Sequence, residues 1–173
     1  MSKIYIVLTY TGTFLSRIVK LYTKKDYSHV SISLDKNLTQ MYSFGRYNAY
    51  NPFFAGFVQE SPNSGTFKRF KNTTSTIYCL EIEKKQYNLI KKLIEEMRDG
   101  KERYSFNMLG VIAVLVNKHL DRKRKFYCAE FVKYLFENSK LNYDLPEVVK
   151  PEDFAKLDGM KEIYTGLLRE YKY

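Results

Sequence analysis

The sequence predicts an α+β fold in which an antiparallel sheet or partial barrel packs against helices, one of them carrying a cysteine at its start. Three observations lead there. The run His29-Val30-Ser31-Ile32-Ser33-Leu34 alternates, meets a turn and returns as a second strand, which is the pattern of a hairpin. Residues 84–98 set Tyr87, Ile90, Leu93, Ile94 and Met97 on one stripe at helical spacing. Late in the chain, Phe126-Tyr127-Cys128-Ala129-Glu130-Phe131-Val132 opens a further helix. At 173 residues the chain falls within the roughly 100–200 that one domain takes, so 1–173 is read as a single domain.

Residues 4–8 form an apolar first strand, and Thr11-Gly12-Thr13 supplies turn and cap chemistry. A short helix over 14–22 follows, with Phe14, Ile18, Leu21 and Tyr22 at helical spacing. In the hairpin, 29–34 is one strand, Asp35-Lys36-Asn37 the turn and 38–44 the return. Val30, Ile32 and Leu34 must share one face and leave His29, Ser31 and Ser33 on the other, which marks that polar face as a place for a site.

Residues 45–74 are rich in Asn, Gly, Pro, Ser and Phe. Asn51-Pro52, Ser61-Pro62-Asn63 and Ser64-Gly65 break them into a loop-rich insertion with short strands at 53–59 and 66–70, a candidate lid. A strand over 76–82 leads into the amphipathic helix of 84–98, which Asp99-Gly100 ends. Residues 104–116 read as a more buried helix or one broken near Gly110. After Arg122-Lys123-Arg124-Lys125, the helix of Cys128 runs to about 139 and buries Phe131, Val132, Leu135 and Phe136. Pro151-Glu152-Asp153-Phe154 is a loop with an acidic helix start, and 161–168 closes the chain as helix or strand.

Composition narrows the function classes. The 29 Lys and Arg against 19 Asp and Glu give a formal charge of +10, which favours an anionic partner without naming it. The first strand is too short for an export signal, and the longest apolar run, 108–116, is far below the roughly 20 residues of a membrane span. The two cysteines, Cys79 inside a strand pattern and Cys128 at a helix start, suggest a reduced, cytoplasmic setting rather than a disulfide. Two histidines and two cysteines this far apart make no metal-ligand spacing, and no Gly-rich phosphate loop occurs, so neither metal nor cofactor is expected.

Cys128 and His29 carry the chemistry. A thiol at a helix N-terminus, behind a basic cluster, sits where positive potential favours a thiolate, and an imidazole on a strand can take its proton and orient attack. Cys79 has no such surroundings and reads as core. His119 lies near a helix end, where it reads as a solvated residue on the dipole. A third group should fix the imidazole tautomer, and across the hairpin Gln40, Tyr42 and Ser43 are the candidates, none of them a carboxylate.

In order, the opening strand, the Ser-His-Val-Ser-Ile strand, the Tyr42-Ser43-Phe44-Gly45-Arg46 return and the Phe126-Tyr127-Cys128-Ala129-Glu130-Phe131-Val132 helix resemble the circularly permuted papain-fold hydrolases. These are relatives of the NlpC-type cell-wall amidases and of lecithin:retinol acyltransferase, in which the histidine strand precedes the cysteine helix. The resemblance spans roughly residues 4–136. It implies Cys128 as nucleophile, His29 as base and Ser43 at the orienting position, where permuted bacterial relatives often carry an acid. It also implies an aromatic at Tyr127 beside the nucleophile and an oxyanion contact from the Cys128 backbone N–H, with Tyr10 and Tyr42 lining the same groove.

The expected activity is cysteine-dependent hydrolysis or acyl transfer at an amide or ester bond through a thioester, on an acidic small-molecule, peptide, cell-wall-type or lipid substrate. Two other classes compete with it. The charge, the Arg122-Lys123-Arg124-Lys125 run and Phe67-Lys68-Arg69-Phe70-Lys71 fit a nucleic-acid-binding module. A papain-like binding protein without catalysis would fit the missing acid.

Overall fold

The computed structural model describes residues 1–13, 16, 17, 20, 21, 26–48, 50–115, 118, 120 and 122–173. Its strands are β1 (Ser2–Tyr10), β2 (His29–Ser33), β3 (Met41–Asn48), β4 (Asn51–Glu60), β5 (Thr74–Ile82), β6 (Ser105–Phe106), β7 (Lys125–Phe126) and β8 (Lys161–Leu167). Its helices are α1 (Gly65–Arg69), α2 (Lys84–Asp99), α3 (Met108–Leu115) and α4 (Cys128–Asn138). Six strands make one sheet in the order β4-β3-β2-β1-β5-β8, every neighbouring pair antiparallel, while β6 and β7 form a separate parallel pair. The protein is therefore a mixed α/β fold built on a mostly antiparallel sheet.

The central strand explains why both faces of that sheet are covered. In β1, Ile4, Ile6 and Leu8 face one way and Tyr5 and Val7 the other, and all five are buried. On the first side they join Val30, Ile32, Phe44 and Leu80 with Ile90 and Ile94 of α2 and Phe131, Val132, Leu135 and Phe136 of α4, forming the main core. On the second side Tyr5 and Val7 meet Met41, Phe67, Ile77, Cys79 and Leu168 in a smaller one. Apolar burial on this scale is the dominant favourable contribution to folding. Aromatic packing pins α4 to the sheet, with the Phe131 ring 5.4 Å from Phe44 and 5.8 Å from Phe57, the latter edge-on.

Several elements depart from the sequence expectations. Residues 45–74 are less loop-rich than expected: β3 and β4 make a long hairpin, β4 contains the strand expected at 53–59, and 66–70 falls mainly in helix α1 rather than a strand, with Phe67 buried in the smaller core. The hairpin's Pro and Asn punctuation misled because β4 is an edge strand, where proline is tolerated. The β2–β3 turn is longer than three residues, because the Asp35 carboxylate accepts the Thr39 and Gln40 amides at 3.1 and 2.7 Å and holds Leu38 at φ 58°, delaying β3 to Met41.

Segment 104–116 divides into β6 and α3. Gly110 does not break α3; it leaves room for the buried Asn107 side chain, which accepts the Gly110 N–H at 2.9 Å. Nor is α3 the more buried helix, since Leu109 and Ile112 are half exposed. Segment 161–168 is a strand, β8. The helix expected over 14–22 lies largely outside the described residues. Among the described residues no helix is long and apolar enough to cross a membrane.

Candidate functional site

His29 is the first residue of β2 and pairs with Thr9 of β1. The registered β2–β3 pairs are Ile32 with Tyr42 and Ser33 with Met41, and beyond them the Ser43 hydroxyl donates to the Val30 carbonyl at 2.9 Å. Two strands away, β4 ends on Glu60. Its carboxylate oxygens lie 3.1 and 3.2 Å from His29 Nε2, and Oε2 also accepts the Ser31 hydroxyl at 2.5 Å. The carboxylate reaches past β3 because Gly45 stands in between: a Cβ there would lie 3.2 Å from Glu60 Oε1 and 3.5 Å from His29 Cε1.

Cys128 is the first residue of α4 and is buried; it borders the same cavity as His29, whose charged form it favours. Glu60 occupies Nε2, which leaves Nδ1 without a partner among the described hydrogen bonds. The His29 side chain is 19% exposed and that of Glu60 12%, so the pair is mostly withdrawn from solvent screening. Burial works against a charged imidazole here, but the Glu60 charge, followed by contacts with Cys128 and Glu60, outweighs it and pushes the His29 pKa up to about 10. At neutral pH the ring is an imidazolium.

The start of α4 is held firmly. Glu130 accepts the Tyr127 N–H at 3.0 Å and an Asn107 amide N–H at 3.2 Å, tying the first turn of α4 to the first turn of α3. The Cys128 amide, first in the helix, has no intrahelical acceptor. It is available to a developing oxyanion.

His29, Glu60 and Cys128 border one cavity of about 100 Å³, whose other walls include Thr11, Ser28, Phe44, Arg46, Phe106 and Val111. The structure thus brings together the two residues on which the sequence reading centred. It does not bring in Ser43, whose hydroxyl is committed to the Val30 carbonyl; the group on the imidazole is Glu60. Tyr42 belongs to the main core, stacked on Phe57 with ring centres 5.9 Å apart. Tyr127 is buried, donates to the Val149 carbonyl at 3.0 Å, and has its phenol pushed far above the ordinary value by that burial. Tyr10 lies under the Lys20 ammonium, 4.9 Å from the ring centre. None of the three tyrosines borders the cavity.

Cys79 is buried in the smaller core, where burial pushes its thiol up. His119 lies outside the described residues. Among the described residues no group of three His, Cys, Asp or Glu could hold a metal ion. Beside the basic run of α1, the Arg69 guanidinium sits 3.6 Å over the Tyr50 ring and Arg46 5.6 Å over Phe70, while Phe67 is buried.

Glu60 was legible only as an acid closing a strand pattern ahead of Ser61-Pro62-Asn63, two strands from the histidine once the hairpin is drawn. Gln40, Tyr42 and Ser43, the residues expected across the hairpin, lie at or before β3, one strand short of Glu60 on β4. No protein-family model matches this chain, and no curated protein is significantly similar to it.

Proposed function

We propose that the protein is a cysteine hydrolase or acyltransferase of the permuted papain-like kind, acting on an amide or ester bond. The observation that carries the reading is one cavity bordered by a helix-start thiol, an imidazole, and a carboxylate on the Nε2 of that imidazole. A cationic imidazole beside a sulfur is the arrangement that holds a thiolate nucleophile.

In the forward step the Cys128 sulfur forms a bond to the carbonyl carbon, and the carbonyl oxygen takes the negative charge opposite the Cys128 N–H. Collapse breaks the bond to the amine or alcohol, which leaves with the proton from His29 Nδ1. The thioester is then attacked by water or a second acceptor. His29, now neutral, accepts that nucleophile's proton, the C–S bond breaks, and the sulfur leaves as the thiolate beside the restored imidazolium. Glu60 is a positioning residue: it fixes the ring and keeps Nδ1 toward the sulfur.

Incubation with p-nitrophenyl butyrate tests this. We expect a burst of nitrophenolate and an acyl adduct that peptide mapping places on Cys128, both lost in Cys128→Ala. Turnover by Cys128→Ala at the wild-type rate overturns the reading.

A further inference from the structure

Arg46, in β3 directly after Gly45, borders the Cys128 cavity and also a neighbouring hollow of about 310 Å³, together with Glu60, Thr66 and Phe67. It therefore stands where the two spaces join. Its guanidinium is partly buried, yet no ion pair joins it to a carboxylate among the described residues. Glu60 attracts it only at longer range, because the Glu60 oxygens already accept His29 Nε2 and the Ser31 hydroxyl. Burial, the largest influence, and the nearby Arg69 both disfavour its charge. Lys101 is the second cation on the wall of the second hollow.

A partly buried guanidinium without a paired anion, crowded by another cation, is costly unless something negative completes the site. Arg is the side chain that grips planar or tetrahedral oxyanions through two parallel N–H bonds. We propose that Arg46 is the substrate-recognition residue of this cavity, binding a carboxylate or phosphate carried next to the carbonyl that Cys128 attacks. The proposal rests on Cys128 being the nucleophile. It turns the diffuse basicity of the chain into one residue with one task, and it places the rest of the substrate in the second hollow, beyond the guanidinium.

Two alkylating reagents differing only in charge test it, with uptake at Cys128 followed by peptide mapping so that Cys79 does not interfere. Iodoacetate carries the oxyanion and iodoacetamide does not. We expect the iodoacetate-to-iodoacetamide rate ratio at Cys128 to fall about tenfold in Arg46→Gln and to fall less in Arg46→Lys, which retains the charge but not the paired N–H groups and guards against a folding defect. In the wild type, N-acetylglycine or sn-glycerol 3-phosphate should protect Cys128 from iodoacetamide, and whichever protects identifies the oxyanion as carboxylate or phosphate. An unchanged ratio in Arg46→Gln, or protection by neither anion, overturns the role of Arg46 while leaving the nucleophile in place. Failure of Cys128 to react with either reagent overturns both.

Discussion

Glu60→Gln is the sharpest perturbation of the site, because it removes a charge while keeping the shape. In the wild type the His29 pKa is raised from 6.5 to about 10, a preference for the imidazolium of at most about 5 kcal/mol at 1.36 kcal/mol per unit. Two of the influences raising it come from Glu60, its charge and its hydrogen bond; burial opposes them. With the carboxylate gone, burial is opposed by Cys128 alone, so the His29 pKa should fall well below 10. Proton NMR of the imidazole against pH reads this directly, and with only two histidines in the chain the assignment is simple.

Stability should follow the same linkage. A folded pKa above the unfolded one contributes stability that is complete below pH 6.5 and is lost as pH rises through about 10. Wild-type urea midpoints should therefore decline across that window, and those of Glu60→Gln should decline less. A His29 resonance that still titrates near pH 10 in Glu60→Gln would refute the assignment of Glu60 as the group acting on the ring.

Two further variants separate structure from chemistry. Ser43→Ala loses a buried hydrogen bond to the Val30 carbonyl and should cost about 1–2 kcal/mol in denaturant unfolding, with the His29 titration unmoved; a shifted titration would return Ser43 to the orienting role. Thr9 Oγ1 is fully buried without a hydrogen-bond partner, directly across from His29, so Thr9→Val should stabilise by about 1 kcal/mol with alkylation of Cys128 unchanged.

How much could be read from the residues depends on the distance over which each signal acts. The alternation of 29–34 and the stripe of 84–98 are local, set by side-chain period, and both became the expected elements, β2 and α2. The burial of Phe131, Val132, Leu135 and Phe136 followed from the same logic. Residues 66–70 failed because an aromatic and basic pentapeptide has no decisive period, and burial of Phe67 under the sheet chose helix. The orienting acid failed for a different reason. Sequence places residues on strands, but which strands lie side by side, and which position lacks a side chain, are properties of the assembled sheet. Tyr42 and Tyr127 illustrate the same limit: one sits next to Ser43, the expected orienting residue, the other next to Cys128, and the pleat or the helix turn points each ring into the core instead.

Gly45 is where these long-range requirements converge, and it allows a test of the geometry independent of any charge change. No left-handed φ holds this position to glycine, so the demand is purely for space. An alanine methyl would sit 3.2 Å from Glu60 Oε1, 3.5 Å from His29 Cε1 and 3.5 Å from Val58 Cγ2, close enough that the carboxylate must yield by a few tenths of an ångström. Valine would place two further methyls in the space through which Glu60 meets His29. Gly45→Ala should then lower the His29 pKa modestly, and Gly45→Val should lower it as far as Glu60→Gln does. Because both act through one contact, the double variant Gly45→Val with Glu60→Gln should titrate like either single variant, a non-additivity characteristic of coupled neighbours. Additive shifts in that cycle would mean that Gly45 serves the sheet alone and that the carboxylate reaches the imidazole whether or not the strand between them is bare.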